Sequence, residues 1–222
     1  MLQELCLDQL DPDLAEPLAA ESCLFDAPAA ALLAESLRAN RTLESLSITY
    51  AGMLRDADSA AATAVILGAL LGHPSLQKLD LTKNVCSPDA AHIVGAALGA
   101  LVAANAPALR ELILFECQIP DEGLAPLFEA LPANTHLRVL DVGGNRMSGA
   151  LLRSRLLPAL RANTSLEHLK AGHGKCIRMG SRCLAKLRRC RSNKKVAALL
   201  PWLAEWPDTA YACTQRSQAA EQ

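Results

Sequence analysis

Leu76-Gln77-Lys78-Leu79-Asp80-Leu81-Thr82-Lys83-Asn84 states a rule that much of the chain repeats. Leucine holds the first, fourth and sixth places, and an amide holds the ninth. The phrase returns as Leu109-x-x-Leu112-x-Leu114-x-x-Cys117 and as Leu137-x-x-Leu140-x-Val142-x-x-Asn145. Weaker copies flank these at Leu43-x-x-Leu46-x-Ile48 and Leu166-x-x-Leu169-x-Ala171, and Leu2-x-x-Leu5-x-Leu7 directly follows Met1. Starts at 43, 76, 109, 137 and 166 are spaced by 33, 33, 28 and 29 residues. Such a period describes a stack of similar units, each burying its apolar face only against its neighbours.

Within each unit the third to sixth places alternate as a short strand does, leucine inward and the intervening residues outward. Beyond the ninth place the apolar spacing lengthens toward a helix, as in Ala96, Leu98, Leu101 and Val102, and in Leu124, Leu127, Phe128 and Leu131. Further helical runs cover 28–39, 59–71 and 149–162. Parallel strands joined by helices on one side must curve, because a helix is wider than the strand spacing of about 4.8 Å. The expected fold is an α/β right-handed solenoid, a horseshoe with strands inside, helices outside and a helical C-terminal cap. Asn84 and Asn145 are expected to satisfy backbone groups stranded where the chain turns out of the strand. Cys117 fills the same place with a thiol.

The phrases Ala39-Asn40-Arg41-Thr42-Leu43, Ala133-Asn134-Thr135-His136-Leu137 and Ala162-Asn163-Thr164-Ser165-Leu166 lead from each helix into the next strand. Asn is expected there because it tolerates the left-handed conformation in which helices often end. These phrases and the leucine pattern resemble the leucine-rich repeat family, in its ribonuclease-inhibitor type, over about residues 40–172. They are similar to repeats of nucleotide-binding innate-immune receptors and of bacterial leucine-rich repeat effectors. The pattern departs at the ends: 41 residues separate Leu2 from Leu43, so the first unit carries an insertion or hides a degenerate strand near Ser22–Phe25. The ninth place is Leu10 in the first unit, Ala51 in the second and Gly174 in the last. Residues 1–174 are therefore assigned to five or six repeats, 175–206 to a basic helical cap and 207–222 to a flexible tail.

Composition agrees with thin layers. Half of the residues (51%) are apolar but only 3% are aromatic, so Leu and Ala carry the core. No apolar run approaches the roughly 20 residues that span a bilayer, and the N-terminus lacks a signal-peptide pattern, which implies a soluble, cytoplasmic protein. Eight cysteines dispersed along the chain read as thiols of a reducing compartment rather than a disulfide framework. The formal charge of −1 hides an asymmetry. Residues 1–167 carry a net −9, residues 168–204 carry ten Lys or Arg and no acid, and 205–222 carry −2.

The family resemblance implies that partners dock on the exposed strand positions and adjoining loops of the concave face. Here those are Ser45, Ser47 and Thr49; Lys78, Asp80 and Thr82; Glu111, Ile113 and Phe115; Val139, Asp141 and Gly143; His168, Lys170 and Gly172. Asp80, Lys78, Glu111, Ile113, Phe115, Asp141, His168 and Lys170 are the candidate partner-binding residues. Asp80 and Asp141 are expected to flank Glu111 as an acidic stripe. Ile113 and Phe115 are large apolar residues where exposure is expected, beside charge, as in a binding hot spot. The alternative is that Phe115 folds over the strand end and covers a neighbouring repeat.

At the basic end, Ser181–Arg191 and Val196–Trp206 have amphipathic helical spacing that suits a cap. A basic surface over 170–195 could also meet nucleic acid or another anionic surface, but no aromatic interleaves its cations, against a stacking single-strand binder. Cys176, Cys183 and Cys190 recur every seven residues; on one helix that places neighbours about 10 Å apart, too far for one tetrahedral zinc. No metal or other cofactor is assigned. Gly172-His173-Gly174-Lys175-Cys176 lacks the spacing and hydroxyl of a Walker loop, and neither a Gly-x-Ser-x-Gly elbow nor His-Glu-x-x-His occurs. No catalytic residue and no small-molecule substrate are assigned.

The reading is thus a non-catalytic module that binds another protein. Two alternatives come from the family: a GTPase regulator similar to the Ran GTPase-activating protein, and the recognition part of a pathogen effector. The first strand starts at residue 2, so its edge is either covered by residues 8–30, met by a longer chain, or used for self-association.

Overall fold

A computed structural model describes residues 2–8, 26–172 and 177–179, with Ala185 and Leu187. The leucine phrase generates one sheet of seven strands in sequence order: β1 (Glu4–Asp8), β2 (Ser45–Thr49), β3 (Lys78–Asp80), β4 (Glu111–Ile113), β5 (Val139–Gly143), β6 (His168–Gly172) and β7 (Ile177–Met179). Strands β1 to β6 are parallel, and β7 returns antiparallel to β6. The register places identical steps of the phrase side by side: Leu46 meets Leu79, which meets Leu112, Leu140 and Leu169 in turn. All five are essentially inaccessible to solvent, as are Leu81, Leu114 and Val142 two residues on. A one-residue slip in any unit would turn this row outward, which is why the period holds.

Helices α1 (Ala27–Ala39), α2 (Ala57–Ala69), α3 (Ala91–Ala103) and α4 (Asp121–Ala130) cover the other face. Asp26 and Asp56 cap α1 and α2 by accepting from the N–H groups of Ala29 (2.8 Å) and Ser59 (2.7 Å). The helical run expected at 149–162 is present but not uniform. It begins as α5 (Gly149–Leu151), widens to a π-helix at Leu152–Leu156 and resumes as α6 (Leu157–Ala162). Pro158 stands where a regular helix needs an N–H for the Ser154 carbonyl, so the ladder is already broken at this point.

Alanine and glycine set the layer thickness. A methyl group built on Gly95 would lie 2.8 Å from the Glu122 carbonyl oxygen, and one on Gly99 would lie 2.9 Å from Pro126 Cβ. Bare backbone on α3 thus lets α4 approach closely. Among the described residues Phe128 of α4 is the largest fully buried side chain, packed within a core otherwise without aromatics.

Two polar ladders stitch the turns, and the first matches expectation. Asn84 accepts from the N–H groups of Ala51 (3.0 Å) and Met53 (3.2 Å) and donates to the carbonyls of Ile48 (2.8 Å) and Leu81 (2.9 Å). Asn145 accepts from Ile119 N–H at 2.9 Å and donates to Leu114 and Val142. The Cys117 thiol donates to the Leu81 carbonyl at 3.0 Å. Burial pushes its pKa up to about 12, so it stays a thiol at neutral pH. Cys86 nearby is raised to about 11 for the same reason.

The second ladder corrects the reading of the Ala-Asn-x-x-Leu phrase. Asn40, Asn134 and Asn163 have φ of −74°, −78° and −67°, extended rather than left-handed. Each holds its place through its side-chain oxygen, which accepts from the N–H groups two and three residues on. Left-handed backbone appears instead at Gly72 (+68°) and Asn105 (+49°), in the two units whose next residue is His73 or Ala106 rather than Asn.

His73 imitates the missing amide. Its Nδ1 accepts from Leu76 N–H at 3.1 Å, and buried Nε2 faces the Leu37 and Asn40 carbonyls without a close hydrogen bond. Burial lowers its pKa below 6.5, with the Arg41 charge acting in the same direction. The unfolded chain therefore binds a proton that the native protein resists. Stability from this site is complete above about pH 6.5 and declines as pH falls toward the depressed native value. His73→Asn restores the group used in three sister units. Its urea midpoint should fall less on acidification from neutral pH than the midpoint of the natural sequence.

Candidate interaction face

Alternation along the strands raises three rows of residues on the open face of the sheet. The first runs Glu4, Ser45, Lys78, Glu111, Val139 and His168; the second runs Cys6, Ser47, Asp80, Ile113, Asp141 and Lys170. Thr49, Phe115, Gly143 and Gly172 belong to the third, at the C-terminal ends of the strands. All eight candidate residues lie on this one surface, but not as an acidic stripe. Glu111 stands between Lys78 and Val139, while Asp80 and Asp141 share the next row with Ile113 between them.

The two aspartates are also engaged by the fold. Asp80 Oδ1 accepts from Thr82 N–H (3.0 Å) and Thr82 hydroxyl (2.6 Å). Asp141 is only 3% exposed, accepts from Gly143 N–H at 3.0 Å, and receives Lys170 Nζ at 2.9 Å. Both carboxylates hold the bend that follows a strand, and Lys170 neutralises the deeper one. Sequence alternation could not reveal this, because it assigns every outward residue to solvent.

The remaining candidates differ. Lys78 and Glu111 face each other in register and are half-buried, yet neither side chain makes a hydrogen bond or ion pair among the described residues. Ile113, Phe115 and Val139 are half-buried rather than exposed, and His168 is exposed. Gly143, beside Phe115 on the third row, is buried although it has no side chain of its own. The face therefore offers a partly sheltered apolar centre next to two unneutralised charges.

At the N-terminal ends of the strands, Glu4, Glu44, Ser45, Gln77, Lys78, Arg110 and Glu111 line a hollow of about 550 Å³. Arg110 is held at its rim by donating to the Pro107 carbonyl at 2.7 Å. The hollow was not legible in the repeat phrase, because Glu44, Gln77 and Arg110 occupy its second place, one residue before the alternation begins.

Another row emerges at the opposite ends. The eighth residue of successive phrases is left-handed in four units: Tyr50 (+53°), Lys83 (+59°), Glu116 (+54°) and Gly144 (+71°). Lys83 donates to the Tyr50 hydroxyl, lies 4.6 Å over its ring, and sits 3.6 Å from Glu116. Non-glycine residues in this conformation cost about 1 kcal/mol or more each, a cost these cross-repeat contacts help to offset. A methyl group on Gly144 would lie 2.7 Å from Glu116 Cγ, so that unit requires glycine twice over. Gly144 at the eighth place was the one sequence signal of this conformation.

The expected basic cap, the flexible tail, the possible strand at Ser22–Phe25 and the cysteines at 176, 183 and 190 lie outside the described residues. Leu187 is described, and it is buried in the core. No helix among the described residues is long and apolar enough to cross a membrane.

A family profile described as "Leucine Rich repeat" matches residues 106–128 and 133–150. No curated protein matches the sequence significantly. Among solved structures, the C-terminal domain of tropomodulin from Caenorhabditis elegans is similar, with a TM-score of 0.55 at 16% identity, covering 87% of this chain and 99% of that one. At that identity the likeness concerns the fold alone. With the recurring phrase and its in-register ladder already established, the profile match places leucine-rich repeats within residues 106–150, and the structural likeness supports an α/β solenoid fold.

Proposed function

We propose that this chain is a non-catalytic protein-interaction module, with repeats of ribonuclease-inhibitor type, that takes a partner protein on its concave strand face and adjoining loops. One observation carries the reading: Lys78 and Glu111 are half-buried, opposite in charge and adjacent in register, yet unpaired among the described residues. A structural role would neutralise them, as Lys170 neutralises Asp141. Left open beside Ile113, Val139 and Phe115, they offer charge for specificity and apolar area for affinity. The site residues in this reading are Lys78, Glu111, Ile113, Phe115 and His168. Asp80, Asp141 and Lys170 shape the surface beneath a partner.

The test is quantitative affinity capture from cells with the natural chain, Glu111→Lys, Phe115→Ala, and Arg153→Glu as a control on the helical side. Partners of the concave face should be lost by the first two variants and kept by the third, with thermal midpoints unchanged. Once a partner is in hand, Phe115→Ala should weaken it about 30-fold, the equivalent of about 2 kcal/mol. Equal capture by all four chains would refute the concave assignment.

A further inference from the structure

We infer that the hollow at the N-terminal ends of the strands receives an extended peptide segment of a partner, with one basic and one acidic side chain two residues apart. The base lies toward β1 and the acid toward β4. This names the partner chemistry at one edge of the concave face, and so it rests on the concave-face reading.

Charge in this hollow is ordered rather than mixed. In the second place of the phrase, Glu44, Gln77, Arg110, Arg138 and Glu167 follow one another strand by strand, each joined to the next by a backbone hydrogen bond. In the third place the order is Glu4, Ser45, Lys78 and Glu111. Within the hollow each row therefore starts at an acid, passes one neutral polar residue and reaches a cation. Adjacent strands lie about 4.8 Å apart, so the backbones carrying each acid and its cation are separated by about 10 Å.

Elsewhere in the same row, adjacency closes the pair. Arg138 and Glu167 stand on neighbouring strands and approach to 3.7 Å, while Arg138 also donates to the Ser165 carbonyl at 2.9 Å. Gln77 keeps Glu44 and Arg110 from doing this, and Ser45 keeps Glu4 from Lys78. Among the described residues the Glu44 carboxylate accepts only from the Gln3 amide, at 3.3 Å. Arg110 donates through Nη1 to the carbonyls of Pro107 (2.7 Å) and His136 (3.5 Å), and its guanidinium meets no carboxylate. The Glu4 and Lys78 side chains have no partner among the described residues. Two carboxylates thus face two cations across a neutral waist, and the fold neutralises neither side.

That order selects the occupant. A wholly basic segment would be repelled at Lys78 and Arg110, and a wholly acidic one at Glu4 and Glu44. In an extended chain, residues two apart share one face at a separation of about 7 Å, and long side chains span the remainder. Glu111, in register with Lys78, stops the acid of the segment from moving further along the row. No large apolar side chain lines the hollow, so the charges set direction and register while Ile113, Val139 and Phe115 beside it supply affinity.

Panning a random heptapeptide display library on the whole natural chain tests this. Selected peptides should carry a base and an acid two residues apart. Synthetic copies should weaken by about tenfold or more when those two residues are exchanged, their flanking residues fixing the direction of the segment. Glu4→Lys with Lys78→Glu alters two side chains that the fold does not use, so the thermal midpoint should hold. It leaves one charge of each sign on either side of the waist, and the preference between the two peptide orders should fall to near one. Adding Glu44→Lys and Arg110→Glu should reverse that preference. Selection of no peptide, selection of peptides without the pair, or a preference untouched by the double variant would overturn the inference. Peptides lost by Phe115→Ala yet indifferent to the double variant would sink it while leaving the concave-face reading in place.

Discussion

Asn84→Leu should lower the unfolding free energy by about 4 kcal/mol, enough to consume much of the stability of an ordinary domain. The substituted side chain has the same branched heavy-atom skeleton, so most of the loss is polar. Ala51 N–H, Met53 N–H and the Ile48 carbonyl meet this one amide, which shares the Leu81 carbonyl with the Cys117 thiol, and the site is closed to water. Leaving a buried group unpaired costs about 1–3 kcal/mol, and neighbouring losses partly relax together. Asn84→Cys should cost roughly half as much, since the Cys117 thiol already meets the corresponding Leu81 carbonyl one unit further on. Urea unfolding followed by circular dichroism would check the order. Equal midpoints for Leu, Cys and Asn would mean that the ladder adds nothing to stability. Hydrogen exchange should locate the damage at the junction of β2 and β3, because a solenoid transmits it chiefly to nearest neighbours.

Phe128→Ala is the other severe change, with an expected loss of about 3–5 kcal/mol. Phe128 is fully buried in α4, and the close approach of α4 to α3 leaves little scope for collapse around the cavity. The backbone is already in contact at Gly95 and Gly99, so the helices cannot move inward to refill the space. Phe128→Leu should recover more than half of the loss by replacing most of the volume. If alanine and leucine destabilise equally, the site is governed by something other than packing. Both measurements concern stability alone, and the concave surface should keep its partner until the fold is lost.

Leucine spacing alone determined the class of fold, the direction of the strands and their register. Period two within the phrase and helical period between phrases admit few other arrangements, and Leu46, Leu79, Leu112, Leu140 and Leu169 form the predicted row. The ninth-place amides were equally legible, since a sharp turn out of a buried strand strands backbone groups that Asn can satisfy at both ends.

Which outward residues reach solvent was decided only by the tertiary structure. Alternation assigns Asp80, Glu111 and Asp141 to one face without distinguishing a carboxylate folded onto its own turn from one left open. That choice depends on the hydroxyl of Thr82, the backbone of Gly143 and the ammonium of Lys170, the last 29 residues from the acid it neutralises. Asn at the helix ends carries the same lesson: its oxygen captures two amides in extended backbone, and the left-handed turn falls to Gly72 and Asn105. A repeat phrase records which positions are buried together. Hydrogen bonds between successive copies decide which polar side chains are consumed by the fold and which remain available to a partner.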